Sequence, residues 1–193
     1  MPGDRSAGMR WDVAAFDTFA PVYDRLMWST DETTLRKGLA CADRDVGRCV
    51  EVGGGSGRAA REVDATVLDP ARGMLERARD RGLETVQGSA ESLPLADGSV
   101  DAVLVVDAFH HFADHDAALA EAARVLAPGG VLVICEFDRS TLRGRWLARS
   151  ERLVGFDSQF LTAAELETAI DRAGLDVRPV EYGFGMTVVG VKD

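Results

Sequence analysis

"VEVGGGSGRAAREVDATVLDP", Val50 to Pro70, sets four glycines (Gly53, Gly54, Gly55 and Gly57) within five positions directly after a short apolar run, and closes a second such run on Asp69 and a proline. A brief apolar run that breaks into glycine reads as a buried strand turning tightly at its carboxyl end. The unit recurs. Apolar runs at Cys49–Val52, Ala65–Leu68, Leu83–Val86, Ala102–Val106 and Val131–Phe137 alternate with helical patterns. That order implies a parallel sheet covered by helices on both faces. Two last strands, about Leu175–Tyr182 and Met186–Val191, join through "GFG" and are expected to pair antiparallel at the sheet edge.

The helical patterns carry their own punctuation. The helix after Asp69 is expected to take Pro70 into its first turn, to bury Met74, Leu75 and Ala78, and to stop at Gly82. Another spans about Asp116–Leu126 and ends at "APGG". A later one opens on a capping box, Thr162 to Glu165, buries Leu166, Ile170 and Ala173, and ends at Gly174.

Composition narrows the function. The chain has 193 residues, enough for one domain with a sizeable core, and a formal net charge of -10, which argues against tracking a nucleic-acid backbone. Cys41, Cys49 and Cys135 lie far apart without CxxC spacing, so no disulfide framework and no zinc site is expected. With no signal-peptide core and no long apolar run, the expected location is cytoplasmic.

In an open parallel sheet, ligands bind beyond the carboxyl ends of the strands. The polar clusters fall on that edge: the glycines after the first strand, Asp69 after the second, Ser89 and Glu91 after the third, Asp107 with His110 and His111 after the fourth, Glu136 and Asp138 at the fifth. Gly53, Gly55 and Gly57 spell GxGxG, with Arg58 where a dinucleotide fingerprint needs its third glycine; GKS and GKT are absent, and Ser56 lacks the frame of a nucleophile elbow. Bare backbone beside Asp69 suits a nucleoside with an amino-acid tail, the carboxylate accepting from both ribose hydroxyls.

From about Phe19 onward the chain resembles the class I S-adenosylmethionine-dependent methyltransferases. The likeness rests on "VEVGGGSG", "VLDPARGML", "GSAESLPLADGSVDAVLVVDAFHHF" and "EAARVLAPGGVLVI" in order. It implies an α/β fold, a doubly wound, mostly parallel Rossmann-like sheet of about seven strands with an antiparallel edge strand and helices on both faces. It also implies S-adenosyl-L-methionine as cofactor. Glu51 and the Gly53 and Gly55 backbone would border the methionine tail, Asp69 would hold the ribose, and Met74 with Pro70 would pack near the adenine. Ala90 would meet the adenine edge beside Ser89 and Glu91, with Asp107 also on the cofactor side. Two departures stand out: family members often carry Asp where Ser89 stands, and the short stretch from Gly57 to Asp69 implies a clipped first helix. "FAPVYDRLM" and "FHHF" look most like the branch of ubiquinone and menaquinone biosynthesis enzymes and small-molecule methyltransferases, in which Tyr23 would reach or cover the cofactor.

Methyl transfer from a sulfonium is an in-line displacement that needs positioning in a dry pocket and, for a protic acceptor, a base. His110 or His111 is the candidate, while His115 in "DHD" reads as a solvated helix start. The expected division is 1–45, a helical cap; 46–138, the cofactor core; 139–161, a lid or insertion; and 162–193, the closing helix and edge strands. Arg139, Arg143, Arg145, Arg149 and Arg152, interleaved with Leu142, Trp146, Leu147, Leu153 and Phe156, fit a pocket cap, an anion site, a peripheral membrane contact or a solvated helix. The readings from other classes are a nicotinamide-dependent oxidoreductase and a non-catalytic S-adenosylmethionine-binding subunit.

Overall fold

A computed structural model describes residues 32–141, 145, 159–181, 183 and 185–193. Tyr23 and most of the arginine-rich segment lie outside them. The described elements, in order, are α1 (Glu32–Leu39), β1 (Cys49–Val52), α2 (Ala60–Val63), β2 (Thr66–Asp69), α3 (Arg72–Asp80), β3 (Thr85–Gln87) and β4 (Val100–Val106). A 3-10 turn at Phe109–His111 follows, then α4 (His115–Val125), β5 (Leu126–Phe137), α5 (Ala163–Arg172), β6 (Leu175–Glu181) and β7 (Gly185–Lys192).

The strands form one seven-stranded sheet in the order β3-β2-β1-β4-β5-β7-β6. Strands β1 to β5 run parallel, so their carboxyl ends share one edge; β7 is antiparallel to both β5 and β6 and sits between them. Apolar side chains pack on both faces. On one, Val103, Leu119, Leu132, Ile134, Leu166 and Ile170 join α4 and α5 to the sheet. On the other, Leu35, Leu75, Ala78, Leu104 and Val133 join α1 and α3 to it. Each fully buried side chain of this size contributes roughly 1.5–3 kcal/mol, and double-sided burial is why β4 and β5 carry the continuous apolar runs Ala102–Val106 and Val131–Cys135 rather than alternating ones.

Several element ends differ from expectation for identifiable reasons. Helix α3 begins at Arg72, because the Asp69 carboxylate accepts the Ala71 N–H at 2.8 Å and holds Pro70 in a turn ahead of the helix. Helix α4 starts one residue early, at His115, since Asp114 caps it by accepting from Ala117 N at 3.0 Å. It stops at Val125, and "APGG" belongs to the entry of β5, where Leu126 pairs with Val100 across an irregular register. The expected capping box is present in full, with Thr162 and Glu165 exchanging bonds at the start of α5. The clipped first helix is α2, four residues ending on Asp64 in the left-handed region.

Candidate active site

The β1 and β2 half of the edge is built mainly from backbone. Gly53 N donates to Leu68 O at 2.8 Å and Gly57 N to Gly54 O at 2.8 Å, curling the chain over the end of β2. Gly57 has φ +75, and a Cβ there would lie 2.2 Å from Leu83 Cδ1, so only glycine fits. Asp69 is buried and accepts Gly55 N at 2.9 Å on one oxygen and Ala71 N on the other. A carboxylate accepts hydrogen bonds at both oxygens, the acceptor set a pair of ribose hydroxyls requires. Met74 is buried, with its Sδ and Cε about 4 Å from where a Gly55 Cβ would stand.

Glu51 sits fully buried within β1 and accepts Ala60 N at 2.7 Å. Burial is the main cause pushing its carboxyl up to about 8, reinforced by the Asp69 charge and opposed by the Ala60 N–H and Arg58. One support had no signal in the sequence: Arg81, at the end of α3, reaches back so that Nη1 donates to both Ser56 O and Ser56 Oγ at 2.8 Å. It ties the glycine turn to α3, where the clipped α2 offers little backbone of its own.

Next to this half lies the loop after β3. Ser89 and Ser92 form an isolated bridge, Ala90 is buried, and Glu91 is turned inward, accepting from the Ser89 hydroxyl and from Ala113 N at 2.9 Å. The loop is clamped from behind. Glu121 accepts Leu93 N at 2.7 Å, while Arg124 donates to Leu93 O at 3.1 Å, Leu95 O at 2.9 Å and Asp97 at 2.6 Å. Both residues lie on α4 at positions that read from sequence as its solvated side.

The β4 and β5 half is built from side chains. Asp107 closes β4 with φ 51, a left-handed conformation that costs a non-glycine residue roughly 1 kcal/mol and concentrates at functional sites. His110 is buried, its side chain 1% exposed, and its Nδ1 lies 2.7 Å from Glu136 Oε2, a carboxylate 2% exposed. Glu136 also accepts His110 N at 3.2 Å and Phe137 N at 2.9 Å. Burial raises its carboxyl, while these N–H groups and nearby His115 pull the other way. The His110 ring stacks on Phe160 at 4.2 Å and tilts against His111 at 4.0 Å. His111 is half-buried, and burial together with His110 holds it well below the ordinary imidazole value. His115 departs from the solvated reading: it stacks on Phe109 at 4.2 Å and is held below its usual value by burial.

Asp107, His110 and Glu136 offer ligand-type atoms within 4.8 Å of one another, a spacing a cation would accept. Glu136 is already engaged by three donors on neighbouring residues, which favours a proton-sharing pair. Of the two buried carboxylates at the end of β5, Glu136 is the one that meets His110. Asp138 ends the strand in a turn, its Oδ1 accepting Ser140 N at 2.7 Å. Arg139 pairs with Glu165 at 2.5 Å, on the surface, and Arg145 is exposed. No helix among the described residues is long and apolar enough to cross a membrane.

The two halves meet where a Gly53 Cβ would lie 2.8 Å from Ala108 Cβ, placing the glycine turn against the β4 loop. Glu51, Gly53, Gly55, Asp69, Pro70, Met74, Ser89, Ala90, Glu91, Asp107 and His110 thus occupy one strand edge.

Comparison with known proteins gives this edge its class. The methyltransferase domain family matches residues 50–134. The demethylmenaquinone methyltransferase of Mycobacterium sp. (strain KMS) is 35% identical over 194 residues, covering 89% of this chain and 84% of that one. The malonyl-[acyl-carrier protein] O-methyltransferase of Methylococcus capsulatus is 30% identical, covering 95% and 74%. A crystal structure of an S-adenosylmethionine-dependent methyltransferase from Thermotoga maritima superposes with TM-score 0.77 at 29% identity, covering 95% of this chain and 99% of the other. The chain belongs to the class I S-adenosylmethionine-dependent methyltransferases of the menaquinone and ubiquinone type. The bare glycine turn and the Asp69 oxygens fit that cofactor.

Proposed function

We propose that this methyltransferase acts in the cytoplasm on a small hydroxylated aromatic acceptor, a reduced quinone precursor. The observation that carries the reading is the 35% identity to a demethylmenaquinone methyltransferase across most of both chains. Removing a hydroxyl proton from a hydroquinone lets the oxygen lone pair delocalise onto a ring carbon, and the histidine pair beside β4 supplies a proton acceptor.

In this reading Asp69 binds the ribose hydroxyls, Glu51 and the Gly53 and Gly55 backbone border the methionine tail, and Pro70, Met74 and Ala90 enclose the adenine. Ser89 and Glu91 shape that loop, Asp107 lines the rim, and Tyr23 covers the cofactor. When bound, S-adenosylmethionine supplies a methyl carbon activated by its sulfonium. The chain's part is to hold the acceptor in line, exclude water and take a proton at His110 or His111. Residues 1–45 act as a cap, 46–138 as the cofactor core, 139–161 as a lid and 162–193 as the closing helix and strands. The arginine-rich part of the lid suits contact with the membrane surface from which a prenylated quinone would be drawn.

The test is turnover with a short-chain reduced demethylmenaquinone, read by mass spectrometry, beside calorimetric titration with S-adenosylhomocysteine. A singly methylated quinone and micromolar product binding are expected. Tight S-adenosylhomocysteine binding with methylation of a malonyl carboxyl instead would overturn the quinone reading.

A further inference from the structure

We propose that Glu136 is a positioning residue for His110, fixing the imidazole with its proton on Nδ1 so that Nε2 is the nitrogen that accepts a proton during methyl transfer. The inference deepens the base-catalysed reading above and rests on it.

Geometry selects the tautomer. Glu136 Oε2 lies 2.7 Å from His110 Nδ1, and the same oxygen faces His110 N at 3.2 Å, while Oε1 takes Phe137 N at 2.9 Å. Burial raises the Glu136 carboxyl to about 7; against it, backbone N–H groups can only donate, so the two aimed at this carboxyl group favour its accepting form. A carboxylate in turn needs a donor from Nδ1, which leaves the lone pair on Nε2. The ring is then fixed from three sides: Glu136 at its Nδ1, Phe160 stacked at 4.2 Å with an interplanar angle of 14°, and His111 at 4.0 Å. The other ionisable groups facing the pair are Asp107 at the end of β4, His111 on the same turn, and His115 at the start of α4.

The step balances simply. The acceptor's hydroxyl proton moves to Nε2, an atom enclosed until the acceptor binds, and the electron pair of the broken O–H bond stays on oxygen. The methylated ring carbon then releases its own proton as the ring regains aromaticity, and the imidazolium charge is offset by the Glu136 carboxylate behind it. Because the pair is buried, that offset is little screened by solvent.

Only His110, His111 and His115 contribute imidazole signals, so nitrogen-15 NMR of histidine-labelled protein, assigned with His111→Gln and His115→Gln, reads the tautomer without any acceptor. The wild type is expected to show an exchange-protected, low-field Nδ1–H on His110 and an unprotonated Nε2 near neutral pH. Glu136→Gln should abolish that signal, and Glu136→Asp should restore it in weakened form. S-adenosylhomocysteine affinity should stay within about twofold in every variant, because the cofactor half is separately built. In turnover, Glu136→Gln should lower kcat roughly 100-fold, the scale of general-base assistance, leave KM nearly unchanged and move the acidic limb of the pH profile to lower pH.

A wild-type His110 protonated on Nε2 would overturn the proposal, as would a Glu136→Gln spectrum like the wild type. So would a zinc titration that shifts the His110 signals at micromolar metal, since the cluster would then be a cation site. If Glu136→Gln does not fold, the wild-type and Glu136→Asp spectra still decide. The correct tautomer with no methylation of the reduced quinone would leave this pair standing and remove the acceptor reading instead.

Discussion

The two halves of the strand edge are made of different material. At β1 and β2 the work is done by backbone: bare glycines, N–H groups turned onto Asp69, and a buried carboxyl bound to a helix N–H. At β4 and β5 it is done by side chains meeting across strands, with His110 from the turn after β4 and Glu136 from within β5. A backbone cradle suits a ligand that is always the same. A side-chain cluster can be changed residue by residue, as expected where acceptors differ between relatives that methylate a quinone and a malonyl group.

If the halves are independent, damage to one should leave the other working. Glu136→Ala leaves the buried His110 Nδ1–H without its acceptor and is expected to cost roughly 3 kcal/mol of folding stability, while S-adenosylhomocysteine binds as before. Denaturant titration and calorimetry check both parts; loss of cofactor affinity would merge the halves into one site. Asp69→Ala is the converse. In the proposed binding mode it removes two charge-assisted bonds to the ribose, roughly 3 kcal/mol in all, so S-adenosylhomocysteine affinity should fall about 100-fold while the His110 imidazole signals stay in place.

Smaller changes sharpen the picture within the cofactor half. Arg81→Met removes the tie between α3 and Ser56, and a loss of roughly 1 kcal/mol, about fivefold in S-adenosylhomocysteine affinity, is expected. An unchanged affinity would mean that the glycine turn holds its shape unaided. A pH-dependent effect concerns Glu51. Its carboxyl is held at about 8 in the fold against an ordinary 4.5, so the folded chain keeps a proton that the unfolded chain gives up. That contribution to stability is fully present below 4.5 and is lost as pH rises through about 8. Glu51→Gln, a neutral mimic, should flatten this decline, read as a smaller drop in unfolding midpoint between mildly acidic and mildly alkaline buffer. Parallel pH profiles for both proteins would show Glu51 ionised in the fold.

The same contrast explains what could be read in advance. Short-range rules decided the strand runs, the capping box at Thr162 and the placement of Asp69, because each depends on residues within a few positions of one another. Arg81 reaching Ser56 and Arg124 clamping Leu93 and Leu95 leave no such pattern, since both act across loops. His115 misled for the same reason: its charged neighbours suggest solvent, and only folding lays it on Phe109. For Glu136 a faint signal existed, an acid embedded in "VLVICEF", but nothing local says that the acid meets His110.

By itself, then, the sequence determined the parallel α/β sheet, the glycine turn and the carboxylate at the end of β2, since these follow from periodicity and from the steric needs of the backbone. The tertiary structure alone decided which histidine has a carboxylate behind it, which acid at the end of β5 meets it, and what holds the cofactor loops. The physical reason is range: a strand and its turn are specified by neighbours in the chain, whereas the 2.7 Å contact of His110 and Glu136 joins residues that only the β4–β5 pairing brings together.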